Sequence, residues 1–328
     1  MSILVTGGAG YIGSHCVAEL MRRGVDTAVL DNMSKGRREA CGRARLYAGD
    51  LSDRKFLDEV FTRERVEAVI HFGACSLVAE SMRDPGKYFQ NNLAGTVNLL
   101  EAMREHNVSY IIFSSTASVY GNTDTSPITE DCPARPTNPY GESKLMVERA
   151  LRWYDGIFGV KYAALRYFNV AGAIGDASIG EDHDPETHLI PLVLTAALRG
   201  ERALIYGRDY PTPDGTCVRD YIYVMDLVDA HLRALDYLRA GGQSDIFNLG
   251  MGRGVSNLEI IEGARRVTGL PIPTEDRPRR PGDPAILIAS GDKARRILGW
   301  ESACTDIDEI IRTAWAWHKR KEGAPNLI

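Results

Sequence analysis

Tyr140 and Lys144, in the run Tyr140-Gly141-Glu142-Ser143-Lys144, have the residue types and the spacing for proton transfer. On a helix, positions i and i+4 project from one face, so both heads reach one substrate. A free phenol has a pKa of about 10 and is a poor base at neutral pH, but nearby positive charge stabilises the phenolate. Lys144 supplies such a charge. Upstream, Ser114-Ser115-Thr116-Ala117-Ser118 offers hydroxyls, and Thr116 is the candidate to hydrogen-bond a reacting hydroxyl group. Such a run also serves as a turn that satisfies its own backbone, and a Tyr-x-x-x-Lys pair also occurs on ordinary surface helices. Their chemistry depends on what surrounds them.

Near the N-terminus, Thr6-Gly7-Gly8-Ala9-Gly10-Tyr11-Ile12-Gly13 follows an apolar strand and opens a helix. Gly8, Gly10 and Gly13 satisfy G-x-G-x-x-G in the strand-turn-helix setting that gives this motif meaning. The glycines allow a tight turn and close backbone approach, so the pyrophosphate of a dinucleotide can rest on amides at a helix N-terminus. Asp31 ends the second strand, where a carboxylate accepts from the adenosine ribose hydroxyls and repels a 2′-phosphate. NAD is therefore expected rather than NADP, although Lys35, Arg37 and Arg38 follow closely and soften the preference. Asp50 can accept from the adenine amino group. A nicotinamide cation beside Tyr140 would add to the charge of Lys144.

The elements that must position these groups are legible as alternating patterns. Ile3-Thr6, Thr27-Leu30, Arg45-Tyr47, Ala68-His71, Tyr110-Phe113 and Lys161-Leu165 read as strands. Cys16-Arg23, Lys55-Thr62, Tyr88-Glu105 and Gly141-Tyr154 have helical spacing of apolar residues. This alternation predicts βαβ units with right-handed crossovers, hence a parallel sheet covered on both faces. After about Asn169, loops rich in Gly, Asp and Pro separate shorter elements. Tyr221-Leu238 and Ile246-Leu249 again read as a helix and an apolar strand, so the chain is expected to return to the first sheet. The fold class is α/β: a doubly wound parallel sheet of the Rossmann type with a smaller α/β C-terminal substrate lobe. The expected domains are 1–168 plus about 219–250 for the dinucleotide, and about 169–218 plus 251–328 for the substrate.

Composition narrows the function classes. The 328 residues are 44% hydrophobic and 25% charged, as in globular proteins, and the net charge of -5 comes without a basic stripe. No nucleic-acid partner is expected. The longest apolar run, Leu189 to Leu198, is half a bilayer span, and the first residues lack a secretory pattern, so no membrane segment is expected and a cytoplasmic location is. The six cysteines lie far apart without a C-x-x-C pair, against a zinc site or a disulfide framework. Glu181-Asp182-His183-Asp184 and His188 lack helical H-E-x-x-H spacing and read as a solvated acidic loop; no metal is expected.

Together these motifs resemble the extended short-chain dehydrogenase/reductase family, and within it the nucleotide-sugar epimerases. Beyond the glycine and Tyr/Lys motifs, the resemblance rests on Val29-Leu30-Asp31-Asn32, Asn91-Asn92, Leu165-Arg166-Tyr167-Phe168-Asn169, Asp209-Tyr210-Pro211-Thr212-Pro213-Asp214-Gly215 and Val218-Arg219-Asp220-Tyr221. It spans nearly the whole chain. The resemblance implies that Gly7, Gly10, Tyr11, Ile12, Asp31, Asn32, Asp50, Leu51, Phe72, Ala74, Asn91, Ser114, Lys144, Tyr167 and Phe168 line the NAD site. It implies that Thr116, Tyr140 and Lys144 are catalytic. Asn169, His188, Leu189, Tyr206, Arg219, Arg280, Asp283 and Leu287 would surround a UDP-sugar, with the arginines on the diphosphate and Tyr206 near the uracil. The implied reaction inverts carbon 4 of a UDP-hexose through a 4-keto intermediate; an epimerase for another UDP-sugar, uronate or pentose, and a non-catalytic NAD-binding protein are the alternatives.

Three positions depart from the family pattern. His188 replaces a common asparagine, Ser76 replaces a lysine found in some members, and Leu287 stands where a tyrosine narrows the sugar pocket, so N-acetylated sugars are expected to fit. Dehydratase and decarboxylase relatives carry acidic residues just after the threonine, and Ala117-Ser118 cannot replace them. Helices at Tyr88-Glu105 and Gly141-Tyr154 resemble those of a four-helix dimer contact, so a homodimer is expected.

Overall fold

Short apolar strands separated by amphipathic helices set the frame. The computed structural model describes residues 1–123, 125–280 and 283–323. Its first half runs β1 (Ser2–Thr6), α1 (Tyr11–Arg22), β2 (Thr27–Asp31), β3 (Arg45–Ala48), α2 (Arg54–Glu64), β4 (Val66–His71), α3 (Val78–Ser81), α4 (Pro85–Tyr88), α5 (Gly95–Glu105), β5 (Tyr110–Ser114), α6 (Pro139–Phe158) and β6 (Lys161–Tyr167). The second half runs β7 (Asn169–Ala171), α7 (Leu189–Arg199), β8 (Ala203–Tyr206), β9 (Val218–Tyr223), α8 (Val224–Arg239), β10 (Asp245–Leu249), β11 (Gly254–Ser256), α9 (Asn257–Thr268), β12 (Thr274–Arg277), β13 (Ile286–Leu287), α10 (Asp292–Leu298) and α11 (Ile307–Lys321).

The large sheet has the order β10-β6-β5-β4-β1-β2-β3, with every pair parallel. Strands buried on both faces read as continuous apolar runs, and all five residues of β1 and of β2 are buried. One face packs Val17, Leu20, Leu227 and Leu235 from α1 and α8, and the other packs Leu57, Leu99, Met103 and Val147 from α2, α5 and α6. The strand order reverses between β1 and β4, so the loops after these two strands diverge to opposite faces and open a crevice at the carboxyl edge.

The remaining strands form a separate layer. β9 pairs antiparallel with β11 and parallel with β13 through its first residues, and parallel with β7 through Tyr221, Ile222 and Tyr223. β8 and β12 form a parallel pair. A third apolar cluster, including Val193, Ile205, Ile261 and Ile311, joins α7, β8, α9 and α11. No helix among the described residues is long and apolar enough to cross a membrane.

Two expected helices are corrected. Tyr221, Ile222 and Tyr223 belong to β9, because these β-forming side chains pair with Asn169–Ala171; the helix starts only at Val224. The run Tyr88–Glu105 is not one regular helix: residues Phe89–Ala94 form a π-turn between α4 and α5. Asn92 sits in that turn, its side chain accepting from the Cys75 amide (2.8 Å) and donating to the Cys75 carbonyl (3.0 Å). Single π-turns inside helices are frequent at functional sites.

Candidate active site

Helix α6 begins where its sequence says it should. Asn138 caps it by accepting from the Gly141 amide, Pro139 occupies the first turn, and Glu142 adds negative charge there. Tyr140 and Lys144 therefore lie one turn apart. Lys144 is buried, its Nζ donating to the Ser114 carbonyl at 2.9 Å and lying 4.8 Å from the centre of the Phe113 ring. Burial lowers its pKa to about 7, against the opposing fields of Cys75 and Glu148. Tyr140 keeps part of its surface open; burial raises its phenol, and a hydrogen bond with Thr116 pulls it back.

The neighbouring strand ends complete the cluster. The Thr116 hydroxyl accepts from the Ser118 amide at 3.1 Å and caps a short 3-10 turn. Tyr167 and Ser114 share a hydroxyl-hydroxyl hydrogen bond. Burial, then the neighbouring Tyr140, push the Tyr167 phenol upward. Thr116, Tyr140, Lys144, Ser114 and Tyr167 are thus brought together from β5, α6 and β6 at the carboxyl edge of the sheet.

Behind them lies a buried ion pair that sequence reading missed. Arg166 donates from Nε to Glu148 Oε1 (2.9 Å) and from Nη2 to Oε2 (2.5 Å), and Ser115 donates to Oε1 (2.6 Å). Arg166 also lies 4.8 Å from the Tyr120 ring centre, and Tyr120 donates to Asn248 at 2.7 Å. One carboxylate thereby ties α6, β5 and β6, the three elements that carry the cluster. The available signals were an arginine inside the apolar run of β6 and a glutamate one turn after Lys144; their pairing needs the tertiary structure. Asn92 was also missed as a support: it donates to Ser143 Oγ (3.0 Å), which donates to the Tyr140 carbonyl (2.7 Å).

The glycine turn is shaped by close approach. Gly7 has φ +69°, and a Cβ there would lie 2.6 Å from the Gly73 nitrogen. A Cβ on Gly13 would lie 2.2 Å from the Gly7 carbonyl oxygen. The first approach brings the loops after β1 and β4 together, and the second folds the turn tightly onto the start of α1. Gly10 caps α1 without a side-chain bond, and a Cβ there would meet only the Gly7 carbonyl oxygen, at 3.3 Å. A side chain on Gly10 would fill this cradle; its absence leaves the α1 amides open to an anion, which fits a dinucleotide pyrophosphate. Asp31 accepts from the Ala9 amide (3.0 Å) and the Met33 amide (2.9 Å), leaving acceptor capacity on both oxygens.

Other cofactor candidates fall along the same crevice. Asn32 donates to Asp50 at 2.8 Å, and that bond lowers the Asp50 pKa. Leu51 is buried and accepts from Asn98 through its carbonyl. Phe72 packs against the buried His231 with the rings tilted by 39° and their centres 4.7 Å apart, and Ala74 follows in the same loop. Ile12 packs against the core, and the Tyr11 hydroxyl donates to the Gly172 carbonyl at 2.6 Å. Asn91 does not face outward alone; it donates to Asn92. Phe168 packs with Val119, Tyr120 and Leu145.

The substrate candidates form two pairs and an edge. Arg219 donates to Asp283 at 2.6 Å, and Leu287 pairs with Arg219 across β13 and β9. Arg280 lies 4.1 Å over the Tyr206 ring. Asn169 starts β7, and Leu189 starts α7 directly after His188. The loop before α7 is not the solvated acidic stretch expected: Glu181 is buried, and Asp182 pairs with Arg37 (2.6 Å) and Lys321. Glu181, His183, Glu186 and His188 gather in one place.

A doubly wound parallel sheet with a glycine turn at its crossover, an acidic β2 terminus and a Tyr/Lys pair on the adjoining helix defines a dinucleotide-dependent enzyme. Residues 3–250 match the NAD dependent epimerase/dehydratase family, and the chain belongs to that family. NAD is its cofactor. The chain is similar to a UDP-glucose 4-epimerase of Lacticaseibacillus casei, 56% identical over 321 residues, covering 97% of each chain. A crystal structure of a UDP-glucose 4-epimerase matches with TM-score 0.97 and 50% identity, covering 99% of this chain and 100% of that one. The UDP-glucose 4-epimerase of Bifidobacterium longum in complex with NAD+ and UDP matches with TM-score 0.92 and 38% identity, over 99% and 100% of the two chains.

Proposed function

We propose that this protein inverts carbon 4 of a UDP-hexose, interconverting UDP-glucose and UDP-galactose, with UDP-N-acetylhexoses also accepted. The observation that carries the reading is the convergence of Thr116, Tyr140 and Lys144 at the carboxyl edge of the same parallel sheet whose first strand leads into the glycine turn. Bound NAD supplies reversible hydride acceptance at the sugar carbon. Tyr140, as phenolate, removes the 4-hydroxyl proton, and the same oxygen returns it after the 4-keto sugar has presented its other face. Lys144 as ammonium stabilises the phenolate, and Thr116 orients the 4-hydroxyl. Lys144 would also bond the nicotinamide ribose, while the amides of Tyr11 and Ile12 would hold the pyrophosphate and Asp31 the adenosine ribose. Gly7, Asn32, Asp50, Leu51, Phe72, Ala74, Asn91, Ser114, Tyr167 and Phe168 would complete the cofactor walls.

Firm anchoring of the nucleotide and a loose grip on the sugar suit this cycle. Arg219 and Arg280 would take the diphosphate, with Asn169, His188, Leu189, Tyr206 and Asp283 around the nucleotide. Leu287, with Phe168 in the same apolar group, would leave room for an N-acetyl group. We also propose the two-lobe division 1–168 plus 219–250 and 169–218 plus 251–328, cytoplasmic work in galactose metabolism, and a homodimer. Support for the dimer comes from the outer face of α6, where Trp153 is 69% and Ile157 64% exposed one turn apart. Purified protein incubated with UDP-galactose should form UDP-glucose, resolved by chromatography; unchanged sugar from folded, NAD-loaded protein would overturn the assignment.

A further inference from the structure

The loop ahead of α7 concentrates four side chains that the proposed reaction does not employ as a group. Glu181, His183, Glu186 and His188 each offer one ligand atom, and these atoms all lie within 4.8 Å of one another. His188 Nδ1 is 2.7 Å from Glu181 Oε1 and 3.0 Å from Glu186 Oε1. His183 Nδ1 is 3.1 Å from Glu181 Oε1 and 3.8 Å from Glu186 Oε2. Zinc bonds of about 2.0–2.2 Å to nitrogen and oxygen give a tetrahedron with edges of about 3.3–3.6 Å, within the span of these separations.

The surroundings hold the ligands in place. Glu181 is only 5% exposed, and its carbonyl accepts from the Trp317 indole at 2.9 Å. Glu186 Oε1 accepts from the amides of Thr187 (2.7 Å) and His188 (2.8 Å), the kind of outer contact that orients metal ligands. Two imidazoles and two carboxylates suit a borderline ion of the zinc class; calcium and magnesium favour all-oxygen sets. Two carboxylates and two neutral imidazoles also balance a divalent charge.

We propose that Glu181, His183, Glu186 and His188 bind one divalent transition-metal ion of the zinc class in a closed structural site. Four protein ligands leave no open position for chemistry. The His183 ring meets Tyr11 edge-on at 6.2 Å, and Tyr11 directly follows Gly10 of the glycine turn. The ion would fasten the loop before α7 beside the N-terminus of α1.

The test uses full-length, NAD-loaded protein stripped with a chelator and titrated with Zn2+ by calorimetry, with metal content measured after gel filtration. One zinc per chain is expected, with affinity falling at least about 10-fold in His183→Gln and in Glu186→Gln. Cobalt should give the visible bands of a tetrahedral nitrogen/oxygen site without thiolate charge transfer. Binding well below one per chain, a thiolate spectrum, or affinity unchanged in both variants would overturn the site and leave hydrogen-bonded ion pairs alone. Should one variant fail to fold, the other and the wild-type cobalt spectrum decide. None of these readouts depends on turnover, so the site and the epimerase assignment stand or fall separately.

Discussion

Changing Glu148 to Gln should destabilise the large sheet far more than a surface substitution would. The Glu148 and Arg166 side chains are only 3% and 4% exposed, so neither charge is screened by solvent. Glutamine keeps one acceptor oxygen for Ser115 or Arg166 but leaves the guanidinium without a counter-charge. Removing one partner of such a buried pair costs about 3–5 kcal/mol, whereas replacing both by apolar residues is often neutral or stabilising. The double variant Glu148→Leu with Arg166→Met should therefore recover most of the loss, although the Ser115 hydroxyl then forfeits a bond worth about 1 kcal/mol. Urea unfolding of wild type, Glu148→Gln, Arg166→Met and the double variant, at one NAD concentration, gives the comparison. A loss below about 1 kcal/mol for Glu148→Gln, or a double variant no better than either charge-removing single, would refute the reasoning. The same carboxylate steadies the strand ends bearing Ser114, Thr116 and Tyr167, so kcat should fall in Glu148→Gln while zinc binding stays unchanged.

Acid should weaken the fold before most carboxylates protonate. Burial pushes His71 down to about 3 and His231 to about 4. Both stay neutral in the folded chain, whereas the unfolded chain takes up their protons below about pH 6.5. Their contribution is full above that pH and is lost as pH falls toward the folded values, at about 1.4 kcal/mol per pH unit for each histidine. Urea midpoints measured from pH 7 to pH 5 should decline, with a shallower slope in His231→Gln; equal slopes would contradict this. Leu287→Tyr should lower kcat/KM for UDP-N-acetylglucosamine about 10-fold or more while sparing UDP-glucose, read from initial rates; equal losses on both sugars would remove Leu287 from specificity. Trp153→Glu with Ile157→Glu should shift light scattering from dimer to monomer, and a wild-type monomer at working concentration would end the dimer proposal.

The parallel sheet was legible because local periodicity and tertiary demand agree. β1, β2, β5 and β6 are short apolar runs whose burial on both faces demands that composition. Legibility failed where a side chain's partner is distant in sequence. Asn92 forms its bonds with Cys75 and Ser143, and those bonds accompany a π-turn that helical spacing alone cannot reveal. His71 accepts from the Thr6 hydroxyl (2.5 Å) and donates to Thr96 (2.8 Å), which donates onward to the Asn92 carbonyl; this neutral tautomer is fixed by contacts across β1, β4 and α5. At the site, Tyr140, Lys144 and the glycine turn were readable because one motif carries each. Glu148 with Arg166 needed the fold to bring them together, whereas Glu181, His183 and His188 are neighbours in sequence and what the sequence hid was the burial of Glu181.

The most direct test of the chemistry is the epimerisation of UDP-galactose in deuterated water, followed by proton NMR at carbon 4. Direct hydride removal and return predicts UDP-glucose that retains protium at carbon 4, with turnover lowered about 10²–10⁴-fold in Tyr140→Phe. Deuterium appearing at carbon 4, or no epimer from NAD-loaded protein, would contradict the account.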